Sequence, residues 1–440
     1  MMLNDPNHLH IGWVIRQRWN YAFRFGIHDF CMVKVKLKRI YQLLLPLLLL
    51  LNPALIARPF DKEPIRKVVN EALDFSVQQA LYMAFSLQDK PGLLPRTADR
   101  SGNLQTCKPD WWVSGFFPGM LWYLYEYSGN PALKRQAQDY SMRVKDQQYT
   151  RDNHDVGFII NCSFGNGYRV IRDSSYRKII LTATQSLVTR FRPVTGCIRS
   201  WDYAEWNKQW EYPVIIDNMM NLELLMVAAE EFDEPRFKDI AISHANTTLK
   251  HHYRNDFSCF HVVSYDTVTG IPQQKHTSQG YSHGSSWARG QSWGLYGFTM
   301  MYRFTRDTAY LSQAKHIARF ILSHPRLPED KIPYWDFDAP DIPDCHRDAS
   351  AASIICSALI ELSRYVETSL AKEYLTVVET QIRTLSSAQY RNAPGSNGNF
   401  ILKHGVGHMP NNSEVDVPLI YADYYYIEAL MRYRNARVTP

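Results

Sequence analysis

The stretch Pro213-Val-Ile-Ile-Asp-Asn-Met-Met-Asn-Leu-Glu-Leu-Leu225 places one carboxylate, Asp217, directly after one apolar cluster and just before another. Asn218 and Asn221 continue at helical spacing, so the stretch predicts a helix that begins at or just after Asp217. A buried carboxylate needs hydrogen bonds, a nearby cation or a raised pKa, because an unpartnered charge is unstable away from water. Two interpretations of Asp217 stay open at this point: a helix cap and a general acid.

On both sides of this stretch, the chain reads as helices separated by turns that resemble one another. Each turn follows a helix rich in small and aromatic residues, and the turns recur roughly every 45 to 70 residues, a spacing typical of stacked helical hairpins. The turns are Tyr127–Lys134, Arg172–Arg177, Phe232–Lys238, Arg306–Leu311 and Thr368–Leu375. We therefore expect an all-α fold, a six-hairpin (α/α)6 toroid in which six inner helices surround an axial cleft. Strand patterns are limited to short pieces such as Phe257 to Tyr265.

Residues 1–57 have the pattern of a targeting segment. A basic run, Val33–Arg39, precedes an apolar run, Tyr41–Leu51, and small residues follow near a cleavage point at Ala54–Ala57. The apolar run is short and interrupted by prolines, which argues against a membrane anchor. We expect a signal peptide, a translation start at Met1 or Met32, and a periplasmic or secreted bacterial protein. Residues 58–440 contain no linker-like segment and are expected to form one catalytic domain.

The formal net charge of +6 arises mainly in that leader segment. Residues 1–57 hold seven Arg and Lys against two Asp, which gives +5, and the remainder holds 42 basic against 41 acidic residues. This balance argues against general affinity for nucleic acids. The chain also has 11 Trp and 27 Tyr, and aromatic faces of this kind often stack on sugar rings, although most such residues fill cores.

The cysteines and histidines give no metal-binding signature. The six cysteines after residue 57 are irregularly spaced, so we expect mostly buried free thiols, with one disulfide as an alternative. His404-Gly-Val-Gly-His408 has a spacing of four residues, but its two glycines predict a loop rather than a helical metal site.

Polar and aromatic residues concentrate where the predicted inner helices begin. The entries are Asp110–Gly119, Asn153–Phe158, Ile216–Met220, Ser286–Trp293, Arg347–Ser350 and Glu414–Pro418. Asp155 and Asp217 occupy corresponding points of adjacent hairpins, each with apolar neighbours, which favours a shared chemical role over two separate helix caps. Two carboxylates in an aromatic-lined cleft are typical of glycoside chemistry.

Several motifs in order resemble the unsaturated glucuronyl hydrolases, glycoside hydrolase family 88. The matching stretches span nearly all of residues 90–435 and are Asp110–Gly119, Asp152–Phe158, Ile216–Leu222, Gln279–Ser282, Trp287–Trp293, Tyr334–Asp338 and Asn412–Tyr425. The resemblance implies an (α/α)6 toroid that needs no metal or organic cofactor. It also implies a substrate, the 4,5-unsaturated uronic acid that lyases leave at the nonreducing end of glycosaminoglycan-type oligosaccharides.

The resemblance further implies a role for individual residues. Asp217 would protonate C4 of the double bond and then help water add at C5, and Asp155 would hold the ring hydroxyls. Arg289 would engage the uronate carboxylate bidentately. The other residues expected to contact substrate are His154, Trp201, His261, Gln279, Trp287 and one of Trp111 or Trp112. In one departure, His283-Gly284 stands where relatives commonly carry acidic residues, which places the local substrate preference in question.

Other classes of protein remain alternatives at this stage. Gly280-Tyr-Ser-His-Gly284 fits the Gly-x-Ser-x-Gly motif of serine hydrolases, but the residues before it do not form the buried strand that this motif requires. A polysaccharide lyase or a conventional two-carboxylate glycosidase could use the same toroid. A glycan-binding protein would keep the tryptophans without needing Asp217. The sequence leaves open the glycan, its sulfation and the oligomeric state.

Overall fold

Helices, with short strands between some of them, make up residues 63–436, the part of the chain that a computed structural model describes. The predicted leader, residues 1–57, lies outside the described residues. The helices are α1 (Ile65–Ser86), α2 (Phe116–Ser128), α3 (Pro131–Arg143), α4 (Val156–Ile160), α5 (Asn166–Ile171), α6 (Ser174–Val188), α7 (Asn218–Phe232), α8 (Pro235–His251), α9 (Ala288–Thr305), α10 (Thr308–Ser323), α11 (Ala349–Leu362), α12 (Thr368–Ser386) and α13 (Ile420–Ala436). A π-helical segment, Asn161–Gly165, joins α4 to α5.

Four of the five predicted turns span the junction between successive helices, whereas Thr368–Leu375 lies within α12 and the turn before it is formed by residues 363–367. Four of them reverse the chain through a left-handed residue that ends a helix, namely Gly129, Arg172, Asp233 and Arg306. Such a residue closes the last helical turn and directs the chain away from the helix axis. The next helix is then started by a side-chain cap, as at Asn130, or by a proline in its first turn, as at Pro235.

Helices that begin with the polar and aromatic motifs contact one another in sequence. Helix α2 contacts the π-helical segment, α4 contacts α7, α7 contacts α9, α9 contacts α11, α11 contacts α13, and α13 contacts α2. The intervening helices pack against these, for example α8 on α7 and α12 on α11. The described residues are therefore helix-rich and consistent with an α/α toroid.

Small residues and buried charges hold these helices together. A Cβ at Gly115 would meet the main-chain oxygen of Ile159 at 2.2 Å, so glycine is required where α2 crosses α4. Within the far halves of α9, α11 and α13, Arg303 and Arg432 both pair with Glu361, at 3.1 and 2.8 Å. Because the buried Glu361 depends on these two half-buried arginines for its opposite charge, removing either one is expected to destabilise this contact.

Short antiparallel strands bring the loops of the site together. They form four small sheets, made of β1 (Leu94–Ala98) with β2 (Leu104–Cys107), β3 (Phe191–Arg192) with β4 (Cys197–Ile198), β5 (Pro213–Ile215) with β6 (Val262–Tyr265) and β7 (Pro272–His276), and β8 (Gly405–His408) with β9 (Ser413–Val417). The prediction of a loop at 404–408 is wrong, because Gly405–His408 is a strand. A Cβ at Gly405 would meet the Leu419 side chain at 2.5 Å, so this glycine marks close packing rather than a flexible loop.

Candidate active site

Asp217 lies between β5 and α7, at the helix start that the sequence predicts. Its side chain makes no capping hydrogen bond to the first turn of α7. The side chain is 11% exposed, and its Oδ2 atom is buried without a hydrogen-bond partner among residues 63–436. The helix-cap interpretation therefore does not account for this carboxyl group.

Asp155 occupies the equivalent position at the start of α4 and likewise makes no capping hydrogen bond. Its own main-chain N–H donates to Asn153 Oδ1 at 2.9 Å, which fixes the turn that precedes the helix. The side chain is 16% exposed, and Oδ1 lies 3.5 Å from Nε2 of the buried His154. Each carboxyl group is thus matched with a histidine, because Asp217 Oδ2 lies 3.6 Å from His261 Nε2.

Asn221 determines which nitrogen of the neutral His154 ring carries the proton. The Oδ1 atom of Asn221 accepts a hydrogen bond from the Phe158 main-chain N–H at 2.7 Å, so its Nδ2 atom is the donor that faces His154 Nδ1 at 3.2 Å. An imidazole nitrogen that accepts a hydrogen bond carries no proton, so the proton of neutral His154 lies on Nε2 and faces Asp155. Burial lowers the pKa of His154 to about 3, which keeps the ring neutral.

His261 is also a neutral ring protonated on Nε2, but different hydrogen-bond donors hold it there. Its Nδ1 atom accepts hydrogen bonds from the main-chain N–H groups of Ser278 and Gln279, at 3.1 and 3.2 Å. The proton therefore lies on Nε2, which faces Asp217. Burial and then the charge of Arg289 hold the pKa of His261 well below its ordinary value. Both histidines thus present a neutral N–H to a carboxyl group.

Both carboxyl groups are tuned to hold a proton near neutrality. Burial raises the pKa of Asp217 to about 7, although the positive charge of Arg289 opposes the rise. Burial likewise raises the pKa of Asp155 to about 7, and the negative charge of Asp217 raises it further. The partial positive charge at a helix start favours a carboxylate, so burial outweighs the helix at both positions. Such groups can act as general acids and bases near pH 7.

Arg289 is buried and pairs with groups of the protein itself. The side chain is 1% exposed, forms an ion pair with Asp348 at 3.2 Å and donates to the main-chain oxygens of Val406 and Gly407. The expectation that this guanidinium grips the uronate carboxylate bidentately stays a prediction, and in the described residues Nη1 and Nη2 already donate to protein acceptors. Arg289 instead acts at a distance, since its charge opposes the rise in the pKa of Asp217.

Trp201 and Trp287 pack against His261 and form an aromatic wall. The half-buried Trp201 approaches the imidazole edge-on at 6.2 Å between centroids, and the buried Trp287 lies at 4.5 Å. Trp287 also covers the guanidinium of Arg289 at 4.4 Å, so it supports the site more than it exposes a face. Gln279 joins this wall through its side-chain bond to the Gly407 main-chain oxygen at 3.0 Å. The predicted residues from α9 and the β6–β7 region therefore meet at one place.

The two tryptophans before α2 have different surroundings. Trp112 is half-buried and packs 4.9 Å from Tyr421 and 5.8 Å from Phe158. Trp111 is exposed, and the guanidinium of Arg96 covers one of its faces at 4.6 Å. Only Trp111 therefore offers a largely open ring, whereas Trp112 belongs to the packed floor beside α4 and α13.

Sequence reasoning missed several residues that shape the site. Asn221 follows Asp217 by one helical turn on α7, and this spacing was the available signal that both face the same way. Asp348 stands at the start of α11, within a motif that the sequence had marked, but its pairing with Arg289 is long-range. Trp210 packs 5.9 Å from Trp201 and had no distinguishing sequence pattern.

Asn221→Asp should lower kcat by roughly tenfold or more, because it keeps the acceptor for Phe158 but removes the donor that fixes His154. The new negative charge should also raise the pKa of His154. Nitrogen NMR of the imidazole should show a neutral ring protonated on Nε2 in the wild-type protein at pH 6, and a shifted titration in the variant. A variant with unchanged kcat and unchanged His154 signals would contradict this role.

The structure also bears on the cysteines, on metal binding and on membrane-spanning helices within residues 63–436. All six cysteines between residues 63 and 436 are free thiols, and five of them are buried, as the first of the two sequence-based alternatives predicts. No cluster of three or more His, Cys, Asp or Glu in this range is arranged to hold a metal ion. Within the same range, every helix is too short or too polar to cross a membrane.

Comparisons with known proteins identify the family of this chain. The family described as Glycosyl Hydrolase Family 88 matches residues 95–435. An unsaturated glucuronyl hydrolase of Formosa agariphila is 46% identical over 74% of this chain and 80% of its own length. An unsaturated chondroitin disaccharide hydrolase of Streptococcus pyogenes serotype M1 is 33% identical over 87% of this chain and 96% of its own length.

Solved structures give the same result. The crystal structure of an unsaturated glucuronyl hydrolase specific for heparin has a TM-score of 0.81 and 46% identity, and covers 84% of this chain and 97% of that chain. A variant of the Streptococcus agalactiae enzyme complexed with dGlcA-GalNAc6S has a TM-score of 0.72 and 28% identity, and covers 86% of this chain and 94% of that chain. With its paired carboxyl groups and these matches, the chain belongs to glycoside hydrolase family 88.

Proposed function

We propose that the protein releases a 4,5-unsaturated uronic acid from the nonreducing end of lyase-generated glycosaminoglycan oligosaccharides by hydrating the C4=C5 bond. The observation that carries this proposal is the Asp217 carboxyl group, whose Oδ2 atom is buried and unbonded and whose pKa is raised to about 7. The relatives named unsaturated glucuronyl hydrolase and unsaturated chondroitin disaccharide hydrolase support this substrate class.

In the proposed reaction, protonated Asp217 donates its proton to C4, and positive charge develops at C5 and the ring oxygen. Asp217 is then a carboxylate and accepts a proton from water as the water oxygen bonds to C5. The resulting hemiketal opens, and the bond to the neighbouring sugar breaks with release of that sugar. One water molecule is consumed and Asp217 regains its proton, so the cycle balances.

The histidines assist without donating a proton. The Nε2 atoms of His154 and His261 lie 3.5 and 3.6 Å from carboxyl oxygens of Asp155 and Asp217. Each can stabilise its carboxyl neighbour as negative charge appears, or bind a sugar hydroxyl. Asp155, whose charge state is linked to that of Asp217, is proposed to hold the ring hydroxyls. We expect the arginine at 289 to set the local electrostatic potential rather than bind substrate directly.

The proposal extends to the finer architecture and location of the protein. The closed order of helix contacts supports six hairpins around an axial cleft, formed by a single domain over residues 58–440. The basic and apolar runs before residue 58 support a signal peptide and a periplasmic or secreted enzyme. N-terminal sequencing of the exported protein would test the cleavage point.

The test of the reaction uses the ultraviolet absorbance of the conjugated double bond. Purified protein should abolish this absorbance with unsaturated disaccharides prepared from heparin, chondroitin or hyaluronan, and the preferred source identifies the natural glycan. Persistent absorbance with all three, under conditions where the protein is folded, would contradict the proposed function.

The rate should fall as the pH rises through about 7, because Asp217 must carry a proton to start the reaction.

The stability of the folded protein should also depend on the protonation of Asp217. The folded state keeps this proton between about pH 4 and 7 whereas the unfolded state releases it, so stability decreases with pH across that window. Asp217→Asn removes this effect, so the variant should melt above the wild-type protein at pH 8 and close to it at pH 4. If the wild-type protein melted at a higher temperature than the Asp217→Asn variant at pH 8, the raised pKa of Asp217 would be contradicted.

A further inference from the structure

A buried carboxylate, Asp336, packs against the loop that joins β7 to α9, here called the β7–α9 loop (residues 277–287). Asp336 belongs to the Tyr334–Asp338 motif, which the proposed chemistry does not use. Its main chain forms an antiparallel bridge with Trp287, the last residue of the loop. A fully buried charge is stable only where donors surround it, so its hydrogen bonds indicate what it holds in place.

The Asp336 side chain binds the β7–α9 loop at two points. Its Oδ2 atom accepts hydrogen bonds from the Tyr281 main-chain N–H at 2.9 Å and from the Ser285 hydroxyl at 2.7 Å. Its Oδ1 atom accepts from the Asp338 main-chain N–H at 2.9 Å, which orients the carboxylate. Burial raises the pKa of Asp336, and these three hydrogen bonds oppose the rise. The carboxylate therefore tethers the loop from inside the protein.

The β7–α9 loop has little space to move where it passes Asp336. A Cβ at Gly280 would meet Oδ2 of Asp336 at 3.1 Å and Oγ1 of Thr277 at 2.7 Å. The Gly280 main-chain N–H also donates to this Thr277 oxygen at 2.8 Å. The contacts on both sides of Gly280 therefore restrict the two residues before it, Ser278 and Gln279.

Ser278 and Gln279 determine the proton position on His261. Their main-chain N–H groups donate to His261 Nδ1 at 3.1 and 3.2 Å, so the proton lies on Nε2 and faces Asp217. A displaced loop would release Nδ1 and allow the proton to move there. The Nε2 atom would then present a lone pair to the ionised Asp217, an unfavourable contact. Asp336 therefore acts on Asp217 through the loop and His261.

We propose that Asp336 is a positioning residue for the proposed reaction, because its carboxylate holds the β7–α9 loop where that loop keeps His261 protonated on Nε2. This inference rests on the proposed function and adds a buried residue that acts through another side chain. When Asp217 gives its proton to C4, the Nε2–H dipole of His261 stabilises the negative charge that appears. Such a dipole is effective only if it is oriented before the reaction begins.

Asp336→Asn tests this role. The amide keeps the size of the side chain but has one oxygen, so its NH2 group faces one of the N–H donors that the carboxylate accepted. The kcat on an unsaturated disaccharide should fall by roughly tenfold, about the effect of one lost hydrogen bond. Nitrogen NMR at pH 7 should show His261 partly protonated on Nδ1. The signals of His154 should not change, because Asn221 holds that ring.

Two further variants separate positioning from general support of the fold. Ser285→Ala removes only one donor to Asp336, so it should change kcat and the His261 signals in the same direction by less, and it decides the matter if Asp336→Asn does not fold. Asp423→Asn is the matched control, because Asp423 is also fully buried and accepts from two main-chain N–H groups. It should lower the melting temperature without altering kcat or the His261 signals.

The outcomes also separate this inference from the proposed function. Unchanged His261 signals in Asp336→Asn and Ser285→Ala, or shifted signals with wild-type kcat, would overturn the positioning role. Equal losses of kcat in Asp336→Asn and Asp423→Asn would do the same. If the wild-type protein hydrolyses no unsaturated disaccharide, the proposed function fails by itself. The His261 spectra need no substrate and still decide whether Asp336 fixes that ring.

Discussion

Asp217→Asn should lower kcat on an unsaturated disaccharide by roughly 10²-fold or more, the usual scale for loss of a general acid. The substitution keeps the size of the side chain but removes the proton that C4 would receive. Folding should survive, because the Asp217 side chain makes no capping hydrogen bond that the amide would lose. Absorbance assays and circular dichroism on the same preparation measure both effects.

A second buried acid provides the matched control for this experiment. Burial also raises the pKa of Asp423 to about 7, but its two oxygens accept hydrogen bonds from the main-chain N–H groups of Ile401 and Leu402. Asp423→Asn should therefore lower the melting temperature and leave kcat nearly unchanged.

The activity of Asp155→Asn should be severely impaired, as expected for a partner of Asp217. Wild-type activity in the Asp217 variant would remove that residue from the mechanism and favour a glycan-binding protein.

A saturated uronide of the same linkage should be left essentially intact by the protein. It has no C4=C5 bond to protonate, so a carboxyl group placed to deliver a proton to C4 has no reaction to begin. The comparison requires two disaccharides that differ only in this bond, assayed for release of the second sugar. A conventional two-carboxylate glycosidase would act at the anomeric carbon and would accept the saturated substrate.

Heavy water gives an independent reading of the same step. When the unsaturated substrate is hydrolysed in heavy water, the released sugar should carry deuterium at C4, because protonation there is the first proposed step. Attack at the anomeric carbon would leave C4 unlabelled. Comparable rates on saturated and unsaturated substrates, or a product without the label, would contradict double-bond hydration and point to conventional glycoside hydrolysis.

Local chemistry explains why the helix pairs were predictable. The turns are encoded by short-range signals, such as Gly129 before Asn130 and Pro131, which end one helix and start the next within a few residues. The position of Asp217 at a helix start was predictable for the same reason. The burial of Asp217 was also foreseeable, because apolar residues flank it on both sides. The family resemblance added the identity of the reaction, which spacing and composition could not supply.

The partners of the charged side chains in the site were less predictable, because they come from segments far apart in the chain. Arg289 was expected to bind the uronate carboxylate, and its contacts with Asp348 and the strand β8 could not be foreseen. A planar guanidinium pairs equally well with a ligand carboxylate or with an internal one. Only the packing of α9 against α11 decides which partner it meets.

The sequence by itself therefore determined the helical hairpins, the carboxyl groups at two helix starts and the family. Caps, turns and apolar patterns act within a few residues of one another. The tertiary structure alone decided the proton positions on His154 and His261. Those states depend on hydrogen bonds from other segments, such as Asn221 to His154 and Ser278 to His261. A hydrogen bond requires its two atoms to lie within about 3.5 Å, a distance that only the folded chain sets.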